Sequence, residues 1–195
     1  MVRAQNGDRG AFARLAECIG GRLHAAAHSI LHDRSLVEDA TQQALVDVWR
    51  NLPQLRDPER FEAWSYRLLV NACYAQAKAE RRWMPGLKAP ASAREPVALD
   101  DVGRITDRDQ LERAFRRLSV EQRTAVVLHH YLGLSIGQVA EAVDAPVETV
   151  RSRLRYSLRV MRAAIEADAR SLIDVKATAT GAAVPANGST SRGTR

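Results

Sequence analysis

Arginine is concentrated in one short stretch of this sequence. Arg151, Arg153 and Arg155 follow Glu148 and Thr149, with Ser152 between them, just after the turn-forming run Asp144-Ala145-Pro146. A guanidinium can donate two hydrogen bonds to a guanine edge, and each good pair contributes about 1–3 kcal/mol of discrimination. Arg155, Arg159 and Arg162 lie farther along and suit phosphate contact. His24, His28 and His32 recur every four residues, a spacing that can chelate zinc. No acidic or thiol partner completes a tetrahedron nearby, so they are read as a polar helix face, with no metal and no cofactor. A phosphate-binding glycine loop, a nucleophile elbow and a defensible carboxylate pair are all missing, so no enzyme activity and no catalytic residues are expected.

The elements that must carry these residues are helices. Phe12, Leu15, Ile19, Leu23, Ala26 and Ile30 step by three and four, which places them on one helix face. Ala40, Ala44, Leu45, Val48, Trp49 and Leu52 repeat the pattern until Pro53, which lacks the donor a continuing helix needs. Trp64, Leu68 and Ala72 mark a third helix running to about Arg82. Leu111, Phe115 and Leu118 open a second group. Ser119 caps the next helix, and Ser135 caps another over Ile136 to Val143. The last helix is predicted from Val147 to about Ala169, with Val147, Val150, Leu154, Leu158, Met161 and Ile165 as its apolar stripe. No run of period-two alternation predicts a strand.

Between the two groups the periodicity lapses. Pro85, Pro90 and Pro96 break any helix, which predicts a linker too long for a loop inside one compact domain. The expected architecture is all-α: two small helical domains, residues 1–82 and 108–170, joined by a flexible linker over 83–107. Residues 171–195, rich in Ala, Gly, Ser and Thr toward the end, are expected to be a disordered tail. The formal charge is +6, with an excess of basic groups on both helical units, and favours a polyanionic partner. Met1 to Gly10 lacks the apolar run of a signal peptide, and no stretch is long and apolar enough to span a bilayer. Two isolated cysteines, Cys18 and Cys73, fit a reduced, cytoplasmic protein with no membrane insertion.

The arginine stretch belongs to a helix-turn-helix. Val139, Ala140 and Val143 of its first helix are expected to pack on Val147, Val150 and Leu154 of the second, leaving Glu148, Thr149, Arg151, Ser152, Arg153 and Arg155 outward.

The segment RRLSVEQRTAVVLHHYLGLSIGQVAEAVDAPVETVRSRLRYSLRVMR resembles the minus-35-reading domain, region four, of bacterial sigma factors. Upstream, VEDATQQALVDVWRNLPQLRDPERFEAWSYRLLVNACYAQAKAERR resembles region two. Both in this order, around a poorly matched linker, is the pattern of the extracytoplasmic-function group of the housekeeping-type family. The resemblance implies that Glu38, Asp39, Gln42 and Gln43 dock on the beta-prime clamp helices of core RNA polymerase. Such an acidic, amide-rich surface suits a basic partner. It implies that the loop from Leu52 to Phe61 and the helix after it capture a flipped base of the melted minus-10 non-template strand. Arg60, Phe61, Tyr66, Arg67, Asn71, Lys78, Arg81 and Arg82 would make those contacts, since rings and cations together hold unstacked bases. Trp64, in line with Leu68, is read as core; Tyr66 is expected to be exposed. Further implied partners are the beta flap, promoter DNA and an anti-sigma factor, with the free chain a monomer.

The chain departs from the family pattern at Gln43, commonly Glu, which implies a weaker core contact. Val70, Ala75, Ala77 and Ala79 are apolar where polar or charged residues are frequent, so no minus-10 sequence preference is carried over. The competing expectation is a stand-alone helix-turn-helix regulator, which predicts a dimer on two half-sites; no dimer seam is evident. An adaptor with a merely solvated arginine helix would show no salt-dependent DNA binding.

Overall fold

The structure, a computed structural model, describes residues 1–83 and 107–181, and all their regular elements are helical. The expected linker falls almost wholly outside the described residues.

A short helix, α1 (Val2–Gln5), precedes three long ones: α2 (Arg9–Leu31), α3 (Arg34–Asn51) and α4 (Phe61–Trp83). Each break has a local cause. Asp8 caps α2 by accepting from the Ala11 N–H at 2.9 Å. His32 ends α2 in the left-handed region, φ 62°, and Asp33 then accepts from the Ser35 and Leu36 N–H groups to start α3. Pro53 falls inside a 3-10 turn, Leu52–Gln54, and Pro58 opens a second, Pro58–Arg60, that leads into α4. Leu23, Ala26 and Ile30 of α2 meet Val37, Ala40, Ala44 and Val48 of α3 and Leu69, Val70 and Cys73 of α4 in a buried apolar core. Each fully buried Leu, Ile or Val there contributes about 1.5–3 kcal/mol of transfer free energy. The alanines of α3 let its backbone lie close to its neighbours.

The second unit holds α5 (Asp107–Arg116), α6 (Val120–Val126), α7 (Ile136–Ala142) and α8 (Val147–Gly181). Reciprocal capping boxes start α6 and α7. The Gln122 N–H donates to Ser119 Oγ and the Ser119 N–H to Gln122 Oε1; Gln138 and Ser135 repeat this arrangement. α6 widens into a π turn, Val127–Tyr131, followed by Gly133 at φ 74°, where the His129 ring bonds the Leu134 carbonyl at 2.8 Å. Asp144, φ 48°, forms the tight turn between α7 and α8.

Three expectations need correction. α8 runs to Gly181, beyond the expected end near Ala169 and into the segment read as tail. Its 171–181 stretch has no proline, and its first glycine is the terminal Gly181, so nothing in the backbone stops the helix earlier. Leu158 and Val147 do not join the α7–α8 core, because α8 turns Val150, Leu154, Ser157 and Ala164 toward α5, α6 and α7. Leu111, on the outer face of α5, is exposed as well.

The two units are docked. α4 contacts α7 and α6, α2 contacts α6 and the π turn, and the buried apolar residues form one continuous cluster through both.

Candidate nucleic-acid interface

On α3 the inward face is Val37, Ala40, Ala44 and Val48, and that fixes what lies outward. Glu38, Asp39, Gln42 and Gln43 are all exposed. Arg34 Nε pairs with Glu38 Oε1 at 3.0 Å, and Gln43 Nε2 donates to Asp47 at 3.0 Å. The result is an acidic, amide-bearing helix face held on a rigid bundle.

The start of α4 and the loop before it form a cleft of about 510 Å³. Arg56, Trp64, Arg67 and Asn71 line one wall. Trp64 is half-buried: one part of its ring sits against the core and near Phe61, with centroids 6.0 Å apart, and the rest lines the cleft. Arg60, Arg67, Asn71, Lys78, Arg81 and Arg82 are exposed, and Phe61 is half-buried. Tyr66 corrects an expectation. Only 2% of its surface is exposed, and burial raises its hydroxyl pKa. It lies on the α4 face that also carries Leu69, Val70 and Cys73, so its ring belongs to the core rather than to the cleft. Of the four apolar departures, Val70 and Ala77 are buried and act in packing; Ala75 and Ala79 are exposed.

At the other end, α8 presents Glu148, Arg151, Ser152 and Arg155 to solvent, with Thr149 half-buried. Arg151 Nη1 pairs with Glu148 at 2.6 Å, an exposed contact of ~1 kcal/mol or less that a base or phosphate can displace. Arg153 differs. It is half-buried, its Nη1 has no hydrogen-bond partner among the described residues, and its charge acts on Tyr74 of α4 and on Glu121. The expectation that it faces outward with Arg151 is corrected: two residues' rotation of about 200° turns it to the opposite side of α8, toward the other unit.

Sequence reasoning missed the groups that close the cleft. Its opposite wall is Gln138, Glu141 and Ala142 of α7, and Arg60 Nη2 meets Glu141 Oε2 at 2.6 Å. A second seam holds Arg123, 2% exposed, whose pKa burial pushes down to about 10. Beside it His32, stacked edge-on against Phe115 at 6.0 Å, is pushed down to about 4 by burial and by Arg123, Arg116 and His28. Of the histidine series, His24 and His28 stay exposed, and only His32 enters this seam. Charge on the exposed α7 face was the available signal, but nothing local pairs residues 81 positions apart.

Comparison with known proteins gives two family matches, Sigma-70 region 2 over residues 15–83 and Sigma-70, region 4 over residues 108–159. The chain is 33% identical over 147 residues to ECF RNA polymerase sigma factor SigM of Mycobacterium tuberculosis, covering 75% of this chain and 73% of the relative. It is 29% identical over 165 residues to RNA polymerase sigma-H factor of Pseudomonas aeruginosa, covering 79% and 86%. Among solved structures, sigma factor RpoE of Bartonella quintana, in complex with the anti-sigma factor NepR, aligns with a TM-score of 0.64 at 22% identity. That alignment covers 81% of this chain and 98% of the other and supports the fold.

Proposed function

Because the chain belongs to the sigma-70 family, in its extracytoplasmic-function group, it is a sigma factor, and we propose how its surfaces divide the work of initiation. The α3 face of Glu38, Asp39, Gln42 and Gln43 binds the clamp helices of core RNA polymerase. The first turns of α8 read minus-35 duplex through Glu148, Thr149, Arg151, Ser152 and Arg155, with backbone phosphates supplying most of the affinity. The cleft lined by Arg60, Trp64, Arg67 and Asn71, with Phe61 beside Trp64 and Lys78, Arg81 and Arg82 farther along α4, takes melted minus-10 strand. Melting needs no nucleotide hydrolysis and no catalysis by this chain, because captured bases and polymerase contacts offset the lost pairing.

The observation that supports this division most is on α3. Four polar side chains share the outward face of a helix whose inward positions are fully buried, so they are free to bind without disturbing the fold. Further partners in this proposal are the beta flap and an anti-sigma factor, the kind of protein with which the Bartonella RpoE was solved. The free chain is a monomer and works in the cytoplasm, where polymerase and promoters are; among the described residues no helix is long and apolar enough to cross a membrane.

The test pairs two variants in a core-polymerase pull-down and a run-off transcription assay with start-site mapping. Asp39→Arg loses core binding. Arg151→Ala keeps it but lowers promoter-specific transcript about tenfold, the loss of one base contact. Core binding retained by Asp39→Arg, or lost by Arg151→Ala, refutes the division. Recognition of paired half-sites by a dimer without polymerase would instead favour a stand-alone regulator.

A further inference from the structure

Arg123 of α6 is 2% exposed, and among the described residues its Nε has no hydrogen-bond partner and its charge no ion pair. Burial pushes its pKa down only to about 10, so it stays charged at neutral pH. Arg81 of α4 and Arg116 of α5 lie close enough to oppose that charge, and Glu121 close enough to favour it. Arg153 of α8 and Arg81 both act on the same Glu121. The buried Nε of Arg116 and Nη1 of Arg153 likewise have no hydrogen-bond partner among the described residues. Arg116 has an acid of its own, Glu112, and His32 beside it is neutral at pH 7. Four guanidiniums thus share two carboxylates, and three of the four bury an N–H donor that no acceptor meets. Buried charges are ordinarily paired, and buried donors are ordinarily satisfied.

We propose that Arg81, Arg116, Arg123 and Arg153 form a binding site for a phosphate-class oxyanion where α4, α5, α6 and α8 converge. The planar fork of arginine matches two phosphate oxygens at once, and such charge-assisted bonds are the strong ones. The donors come from four helices, so they approach from several directions. A tetrahedral ion answers that arrangement better than a flat carboxylate with two oxygens. Arg81 is exposed and the Arg116 side chain is 39% exposed, which gives the ion a path from solvent without unfolding. The buried Arg123 supplies the interior side, where its charge is little screened by salt. The site stands apart from the first turns of α8 and from the cleft at the start of α4, and it requires nothing of the promoter role. A bound ion cross-links α4 of the first unit to α5, α6 and α8 of the second.

The experiment titrates the full chain with inorganic phosphate at pH 7.5, with ionic strength held constant by sodium chloride, and follows heat and thermal unfolding. Saturable binding of one ion per chain is expected. At phosphate about tenfold above its dissociation constant, the melting temperature should be roughly 3–6 °C higher than in chloride. Arg123→Met should weaken phosphate binding at least about tenfold, the loss of one charge-assisted pair. In chloride the same variant should melt no lower than the parent, since the charge removed is buried and unpaired. Arg153→Gln should weaken binding about fivefold. Arg50→Ala, exposed on α3, which lies outside this junction, should bind as the parent does. Adenosine monophosphate, titrated alongside, names the source: tighter inorganic phosphate assigns a free ion, tighter nucleotide assigns a phosphate ester, and either upholds the site. If Arg123→Met loses its helical circular dichroism, Arg153→Gln against Arg50→Ala carries the comparison. No saturable heat with either anion, equal melting in phosphate and chloride, or equal weakening by Arg153→Gln and Arg50→Ala overturns the proposal.

Discussion

Ser157 and Leu158 are neighbours on α8 with opposite environments. Ser157 is fully buried, its hydroxyl donating to the Arg153 carbonyl at 2.7 Å, while Leu158 is 53% exposed. A hydroxyl that bonds its own helix can be buried without loss, and a small side chain lets neighbouring helices come close. Ser157→Leu should therefore cost about 1–3 kcal/mol through overpacking, and Leu158→Ser should stay within about 0.5 kcal/mol of the parent; urea midpoints measure both. Apolar periodicity alone predicts the reverse. Its failure here has the same origin as at Tyr66. Both stripes are helical, but whether a polar-aromatic or small residue faces inward depends on the neighbouring helix, not on residue type. By contrast Val37, Ala40, Ala44 and Val48 were legible, because four small or branched apolar residues at three- and four-residue steps admit only one inward face. That pattern alone places Glu38, Asp39, Gln42 and Gln43 outward.

The elements themselves were readable where side chains make the ends. Ser119 with Gln122 and Ser135 with Gln138 form the capping boxes that their spacing announces. The π turn at Val127–Tyr131 had no such signature, since it depends on hydrogen bonds spaced five residues apart that no composition favours. The end of α2 carries a consequence for pH. His32 is held neutral in the docked state, its pKa pushed from 6.5 to about 4 by burial, with Arg123 and Arg116 opposite and His28 beside it; Glu112 opposes the shift. Its Nε2 is buried with no hydrogen-bond partner among the described residues. Separation of the two units exposes the ring, which then takes up a proton below its ordinary pKa. Docking is therefore at full strength above about pH 6.5 and weakens as pH falls from there toward 4. Acidifying from pH 7.5 to pH 5 should lower energy transfer between dyes placed on the exposed Cys18 of the first unit and on an introduced cysteine, Ala163→Cys, of the second. His32→Asn should flatten that response, since Asn tolerates the left-handed backbone at φ 62° and does not titrate.

At the scale of the molecule, two units that share one apolar cluster should unfold together. All three tryptophans, Trp49, Trp64 and Trp83, belong to helices of the first unit, so fluorescence is weighted to that unit, whereas circular dichroism reports every helix. Urea transitions followed by the two signals should coincide at pH 7.5 and part at pH 5, where docking is weakened. Coincidence at both values would contradict the role given to His32. None of this coupling was legible from the sequence, because the contacts that create it, such as Arg60 with Glu141, join residues 81 positions apart with no local pattern to announce them. The long C-terminal helix then acquires a mechanical meaning. Thirty-five residues at about 1.5 Å each make α8 a strut of roughly 50 Å, pivoting with α7 at Asp144. A tilt of about 10° that lifts α7 from the cleft swings the far tip of this strut by roughly 9 Å, so a modest opening at one end becomes a large displacement at the other.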